Sequence, residues 1–177
     1  GSGSSTVRPG HQEGKEAASV ASAIAPLGRV GAGAGATVSK WRGKEFSELG
    51  GLGGATFREG DLIVSCLIAV NASGDIDFGE YPNKIRDGQF SIPKVNPFEN
   101  TTIGVVATNA KLTKSECFLV SQSAHDGYAR ALFPAHTSGD GDAVVVAATG
   151  KVPTEMSTIR SLTTLTVETA IKSIANE

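Results

Sequence analysis

Charge of one sign never gathers in this chain. Sixteen Lys and Arg stand against eighteen Asp and Glu, and neither set forms a run that could track a phosphate backbone or an anionic bilayer, so nucleic acid and membrane are not expected partners. Long apolar runs are missing too. The longest, Leu62 to Val70, is under half of the roughly 20 residues that a membrane-spanning helix needs. The N-terminus has no charged-then-apolar leader pattern, which makes the cytoplasm the expected location. Cysteine is scarce: Cys66 lies inside an apolar run and Cys117 on the expected inward side of a helix. Two residues so placed make neither a disulfide framework nor a metal cage, and both read as reduced core thiols. Asp140-Gly141-Asp142 begins like a calcium loop, but no third ligand or terminal Glu follows at the required offsets. No cofactor and no metal are expected.

Glycine, by contrast, is plentiful at 22 residues, more than turns alone require, which implies close backbone approaches. Gly1 to Ser5 is a flexible lead that says nothing about fold. An Ala-rich helix is expected over Gln12–Ile24, ending before Pro26 and packing through Ala17, Val20, Ala21 and Ile24. Val30–Lys40 alternates Gly and Ala and reads as a strand or tight loop, and Gly50–Gly54 as a second interruption. Asp61–Asn71, continuous in Leu, Ile, Val and Cys, reads as a strand covered on both faces. Residues 75–99 carry Pro82, Pro93, Pro97 and an Arg86-Asp87-Gly88 turn, the signature of an exposed loop. At Thr101 a β-rich run begins abruptly. Thr113-Lys114-Ser115-Glu116 is a capping box that predicts a helix over about 114–132, stopped by Pro134. Asp142–Thr149 reads as a buried strand, and Glu155–Ala175 as a helix with Ile159, Leu162, Leu165, Ala170, Ile171 and Ile174 inward. Helices and strands mixed in this order give an α+β domain in layers.

A long loop running straight into a strand at Asn100-Thr101 is the layout in which a chain can be cut to expose a hydroxyl residue at a new N-terminus. There the residue's own α-amino group, with a pKa near ~8, is close enough to take the hydroxyl proton. On its own, Asn-Thr-Thr at a loop-to-strand junction is more often structural than catalytic. Neighbouring features have plainer readings. Gly31, Gly33 and Ala36 match a relaxed dinucleotide fingerprint, but no βαβ unit follows. His125 falls within a helix and His136 in a loop, and each reads as a supporting residue rather than a base.

Thr101–Asn109 (TTIGVVATN), Ala124–Leu132 (AHDGYARAL), Pro134–Thr137 (PAHT) and Gly139–Gly150 (GDGDAVVVAATG) resemble the small subunit of the DmpA-like aminopeptidases. Val30–Trp41, Gly50–Gly54 and Ala69–Asp75 (AVNASGD) resemble the end of its large subunit. The resemblance covers roughly residues 6–175, and the Asn-Thr junction is most similar to the nylon-oligomer (6-aminohexanoate-oligomer) hydrolase branch. It implies a layered αββα sandwich of the DmpA/ornithine-acetyltransferase type. Residues 1–100 would be the C-terminal part of the large subunit region and 101–177 the small subunit, together one domain. Well over a hundred residues that the family carries upstream are missing from this sequence.

The resemblance further implies self-cleavage between Asn100 and Thr101, with Thr101 as nucleophile. Asn71 would donate to the oxyanion and Lys40 supply positive charge, while Asp140 and Asp142 orient the amine and hydroxyl. Two apart at a strand start, those carboxylates would face opposite ways unless Gly141 turns them. The implied substrate is a small amide or oligopeptide, and the implied assembly a homo-oligomer, a tetramer of cleaved pairs being one form. Aminopeptidase action, hydrolysis of 6-aminohexanoate oligomers, acyl transfer to an amino acid, and a non-catalytic incomplete module all remain open at this point.

Overall fold

The computed structural model describes residues 3–4, 6–89 and 100–176. In chain order its elements are α1 (His11–Ser19), β1 (Thr37–Val38), β2 (Glu48–Leu49), β3 (Gly51–Glu59), β4 (Leu62–Asn71), β5 (Asp75–Ile76), α2 (Tyr81–Arg86), β6 (Thr101–Ala110), α3 (Lys114–Ala131), β7 (Leu132–Phe133), β8 (Ala143–Val152) and α4 (Met156–Ser173). The main sheet has the order β3-β4-β6-β8, antiparallel except for the β6–β8 pair, which is parallel. A parallel pair needs a crossover, and α3 supplies it. Two-stranded sheets β1-β2 and β5-β7 complete the described strands.

The α+β class expected from the sequence is the one found. α3 and α4 cover one face of the main sheet, and between them lie Val64, Ile68, Val70, Val106, Val120, Ala124, Tyr128, Ile159, Val167 and Ile171, all fully buried. Full burial of a Val or Ile side chain stabilises by roughly 1.5–3 kcal/mol, so this seam holds the fold together. The α3 capping box forms as read: Thr113 Oγ1 accepts the Glu116 N–H at 3.2 Å and Glu116 Oε2 accepts the Thr113 N–H at 2.7 Å. Across the helix pair, Thr164 Oγ1 donates to the Ser123 carbonyl (2.8 Å), and Arg130 pairs with Glu168 (2.8 Å).

Several sequence expectations change. α1 stops at Ser19, and no residue of it is buried; Val20 and Ile24 are exposed as well. Its Ala-rich pattern reflects helix propensity rather than packing. Of Gly50–Gly54 only Gly50 interrupts, between β2 and β3; Gly51–Gly54 opens β3, where glycine is required by contact: a Cβ on Gly53 would lie 2.0 Å from the Ala170 carbonyl oxygen of α4. β4 is buried throughout on its helix side, whereas on the other face only Ala69 is buried and Ile63, Ser65 and Leu67 are half-buried. β8 is the edge strand beside β6, with Val145 66% exposed, not a buried strand. Leu165 of α4 points outward, and Thr163 and Thr166 take the inward positions. Within 75–99, β5 and α2 are ordered elements, with Pro82 in the first turn of α2, where its missing N–H costs nothing; residues 90–99 lie outside the described residues. The face of the sheet opposite the helices shows Leu67, Ile103, Val105 and Val145, with Ala23, Ala25, Leu27 and Ala32 at its border.

Because Gly53 meets backbone rather than a movable side chain, Gly53→Val must push α4 off the sheet. Overpacking of this kind costs about 3 kcal/mol, and at this chain length the melting temperature should fall by roughly 6–12 °C; calorimetry of the purified variant checks it.

Candidate functional site

The sheet register brings three chain segments to one end. Asn71, the last residue of β4, is paired with Thr101, the first of β6, and a parallel bridge joins Asn100 to Asp140 just ahead of β8. Lys40 reaches the same place from a short 3-10 turn, Lys40–Arg42, entered through Ser39 in the left-handed region (φ 66°). The Ser39 N–H donates to the Gly74 carbonyl (2.9 Å) and the Trp41 N–H to the Ser73 carbonyl (3.1 Å), which ties this turn to the segment following β4. Trp41, itself buried, packs edge-on against Tyr81 and Phe133 and anchors the turn from below.

All five residues singled out in the sequence are therefore gathered. Lys40 Nζ donates to Asn71 Oδ1 at 3.0 Å and to the Asn71 carbonyl at 3.3 Å, and the Thr37 N–H donates to the same Oδ1 at 3.1 Å. With its oxygen so engaged, the Asn71 amide keeps its NH2 end as the remaining donor. Thr101 Oγ1 donates to the Asn100 carbonyl oxygen at 2.5 Å, and the Gly141 N–H donates to that same oxygen at 3.0 Å.

The two aspartates do not oppose each other as strict strand alternation would require, because both precede β8. Asp140 Oδ1 accepts the Ser73 N–H (2.9 Å), and its Oδ2 accepts Thr137 Oγ1 (2.6 Å) and the Thr137 N–H (3.2 Å). Asp142 Oδ1 accepts the Thr102 N–H (2.8 Å), while its Oδ2 lies 2.8 Å from His136 Nδ1. One carboxylate thus holds the chain just past Asn71 and the other the residue just past Thr101. Both are held in hydrogen bonds to neighbouring segments, and neither touches the Thr101 hydroxyl in this uncut chain.

Sequence reasoning considered Gly141 only as a turn between the two aspartates; its N–H bond to the Asn100 carbonyl leaves no residue-type signal. It gave Thr37, Ser73 and Thr137 no role, and read His136 as a supporting residue without naming what it supports. His136 and Thr137 lie in the PAHT segment already noted in the resemblance, which was the signal available. Cys66 is no rival nucleophile: burial pushes its thiol up to about 12, and its Sγ donates to the Thr166 carbonyl, so no thiolate forms near neutrality. A cavity of about 460 Å³ lies under the 38–42 segment, bordered by Ser39, Arg42, Asp75 and Tyr81; none of the five gathered residues lines it.

The L-aminopeptidase D-Ala-esterase/amidase of Ochrobactrum anthropi, a variant of the Ntn-hydrolase fold, superposes on 87% of this chain and 46% of its own, with a TM-score of 0.60 at 18% identity. That defines the class: an Ntn-hydrolase-type fold. More particularly, residues 3–177 match peptidase family S58, and the chain belongs to that family. An uncharacterized aminopeptidase of Mycobacterium leprae is 35% identical over 148 residues, covering 73% of this chain and 39% of its own length. The 6-aminohexanoate-oligomer endohydrolase of an Agromyces species is 28% identical over 174 residues, covering 86% and 48%. The chain therefore spans less than half the length of these relatives. Among the described residues no helix is long and apolar enough to cross a membrane.

Proposed function

We propose that this chain cuts itself between Asn100 and Thr101, and that the freed Thr101 is the nucleophile of a hydrolase acting on short linear amides. The observation that supports this most is the pairing on one carbonyl: the Thr101 hydroxyl and the Gly141 N–H both donate to the Asn100 oxygen. In the cut, Thr101 Oγ attacks the Asn100 carbonyl carbon and the oxygen gains negative charge, which the Gly141 N–H stabilises. The hydroxyl proton passes to the Thr101 nitrogen as the C–N bond breaks. The resulting ester is hydrolysed by water, leaving an Asn100 carboxylate and a free Thr101 hydroxyl and amine. A fixed backbone donor placed where charge develops is worth on the order of 3 kcal/mol.

On a substrate amide, Thr101 Oγ attacks the carbonyl and its own α-amino group takes the proton. The Asn71 NH2 end, held by Lys40 and Thr37, donates to the oxyanion, and the Lys40 charge adds to it. The proton then goes to the leaving amine, and water releases the acyl group. Peptides and ω-amino-acid oligomers are the two substrate versions, matching the names of the two relatives above.

Denaturing electrophoresis with N-terminal sequencing tests the first step. Two pieces are expected, the smaller beginning Thr-Thr-Ile-Gly. A single band after prolonged incubation would point instead to a non-catalytic module.

A further inference from the structure

The loop between β7 and β8 holds a side chain that the scheme above does not use. His136 sits in the left-handed region (φ 53°), with Nδ1 2.8 Å from Asp142 Oδ2 and Nε2 3.3 Å from the His125 carbonyl oxygen. Its ring stacks on Tyr128 and lies edge-on to His125. Both ring nitrogens face acceptors, and only the doubly protonated imidazolium donates to both. The Asp142 side chain is 6% exposed, and its other oxygen holds the N–H of Thr102, which is itself fully buried. His136 and Thr137 are consecutive, and each occupies the second oxygen of one of the two carboxylates whose first oxygens hold the β6 start and the β4 end.

We propose that His136 is a positioning residue for Thr101: bridging the His125 carbonyl to Asp142, it clamps Asp142 onto the Thr102 N–H and so fixes the Thr101 hydroxyl against the Asn100 carbonyl. This rests on Thr101 being the nucleophile. A shift of about 1 Å in a reacting group is worth up to ~10²-fold in rate, so an anchor one residue away has leverage.

The groups facing His136 are Asp142, Asp140, His125 and Tyr128. The Asp142 hydrogen bond raises the His136 pKa above its ordinary value, burial opposes this, and the His125 carbonyl and the Asp140 charge add to the rise. His125 moves the other way, lowered first by burial and then by the charge on His136. Burial raises Tyr128, which stays neutral. A raised histidine gives its full contribution below its unfolded value of about 6.5 and loses it as pH rises through the folded value. The clamp is therefore strongest on the acid side. In the uncut chain Thr101 has no free amine, so that group does not enter the pH response of self-cleavage.

The test follows self-cleavage of freshly refolded chain across pH, together with exchange of the Thr102 amide in the uncut Thr101→Ala background. Wild type should lose this contribution to cutting as pH rises through the raised His136 value, so that the ratio of the wild-type to the His136→Ala rate falls. His136→Ala should cut 10–100-fold more slowly and exchange the Thr102 amide at least tenfold faster. His136→Asn, which tolerates the positive φ and keeps one N–H on Asp142, should restore both to within about fivefold and flatten the pH response. Wild-type cutting and amide protection in His136→Ala, or failure of a folded His136→Asn to recover either, would overturn the clamp. If wild type is never cut yet amide exchange responds as stated, the clamp stands and the Thr101 reading falls.

Discussion

Thr101→Ala should leave the chain in one piece and reduce amide hydrolysis by on the order of 10⁴–10⁶, as removal of a catalytic nucleophile does elsewhere. The same substitution should barely affect stability. The Thr101 hydroxyl makes its hydrogen bond to the carbonyl of the preceding residue, and its side chain is outside the buried core. Loss of one such bond costs about 1 kcal/mol, a fall of roughly 2–4 °C in melting temperature for a chain of this size. The contrast between a large kinetic and a small thermal effect is what identifies a reacting group. Intact mass spectrometry reads the cut, calorimetry the fold, and release of amine from a short peptide and from a 6-aminohexanoate oligomer the turnover. An uncut Thr101→Ala chain that hydrolysed either substrate at the wild-type rate would place the nucleophile elsewhere. Thr101→Ser keeps the hydroxyl and should retain part of both activities.

What the sequence could show of this fold depended on whether local pattern and tertiary contact agree. α3 was legible because its capping box and inward Val120, Ala124 and Ala131 are local features that survive in the folded chain. β6 and α4 announced themselves in the same way. β3 did not: its glycines weaken a strand in isolation, and only tertiary approaches explain them, of the Gly28 backbone to Gly51, the Ala170 carbonyl to Gly53 and the Leu27 side chain to Gly54. β8 looked buried because Val-Val-Val-Ala-Ala is apolar throughout, yet it has one sheet neighbour and half of it faces outward. α1 had the composition of a packed helix, yet none of its residues is buried. At the site, the side chains came from resemblance, and the fold brings every one of them to the same end of the sheet. The pieces that stayed hidden are relational. Gly141 acts through a backbone N–H, and His136 through a carboxylate that in turn acts through another backbone N–H. No residue type marks such a role, and only the turn that sets residues 139–142 against 100–102 creates it.

Asn71→Asp should separate the two reactions that Thr101 is proposed to perform. The Asn100 carbonyl, which is split in the cut, takes its donors from Gly141 and from Thr101 itself; Asn71 is bonded instead to Lys40 and Thr37. A carboxylate at position 71 keeps both of those partners satisfied, since the Thr37 N–H and Lys40 Nζ need only an acceptor, and its charge opposite Lys40 favours the pair. The fold and the self-cut should therefore persist. Substrate hydrolysis should not. The aspartate has lost the NH2 donor and brings negative charge to the place where an oxyanion must form, a reversal worth at least the 10²–10³-fold attached to losing one oxyanion donor. A cleaved protein with wild-type melting and a hydrolysis rate down by that factor is the expected result, the loss falling on kcat rather than KM. If Asn71 were only a structural partner of Lys40, Asn71→Asp would be the mildest substitution available and turnover would be unchanged. Asn71→Ala distinguishes the cases further: it removes the side-chain oxygen that Lys40 and the Thr37 N–H share, leaving Lys40 the backbone carbonyl of residue 71, so it should lower stability as well as rate.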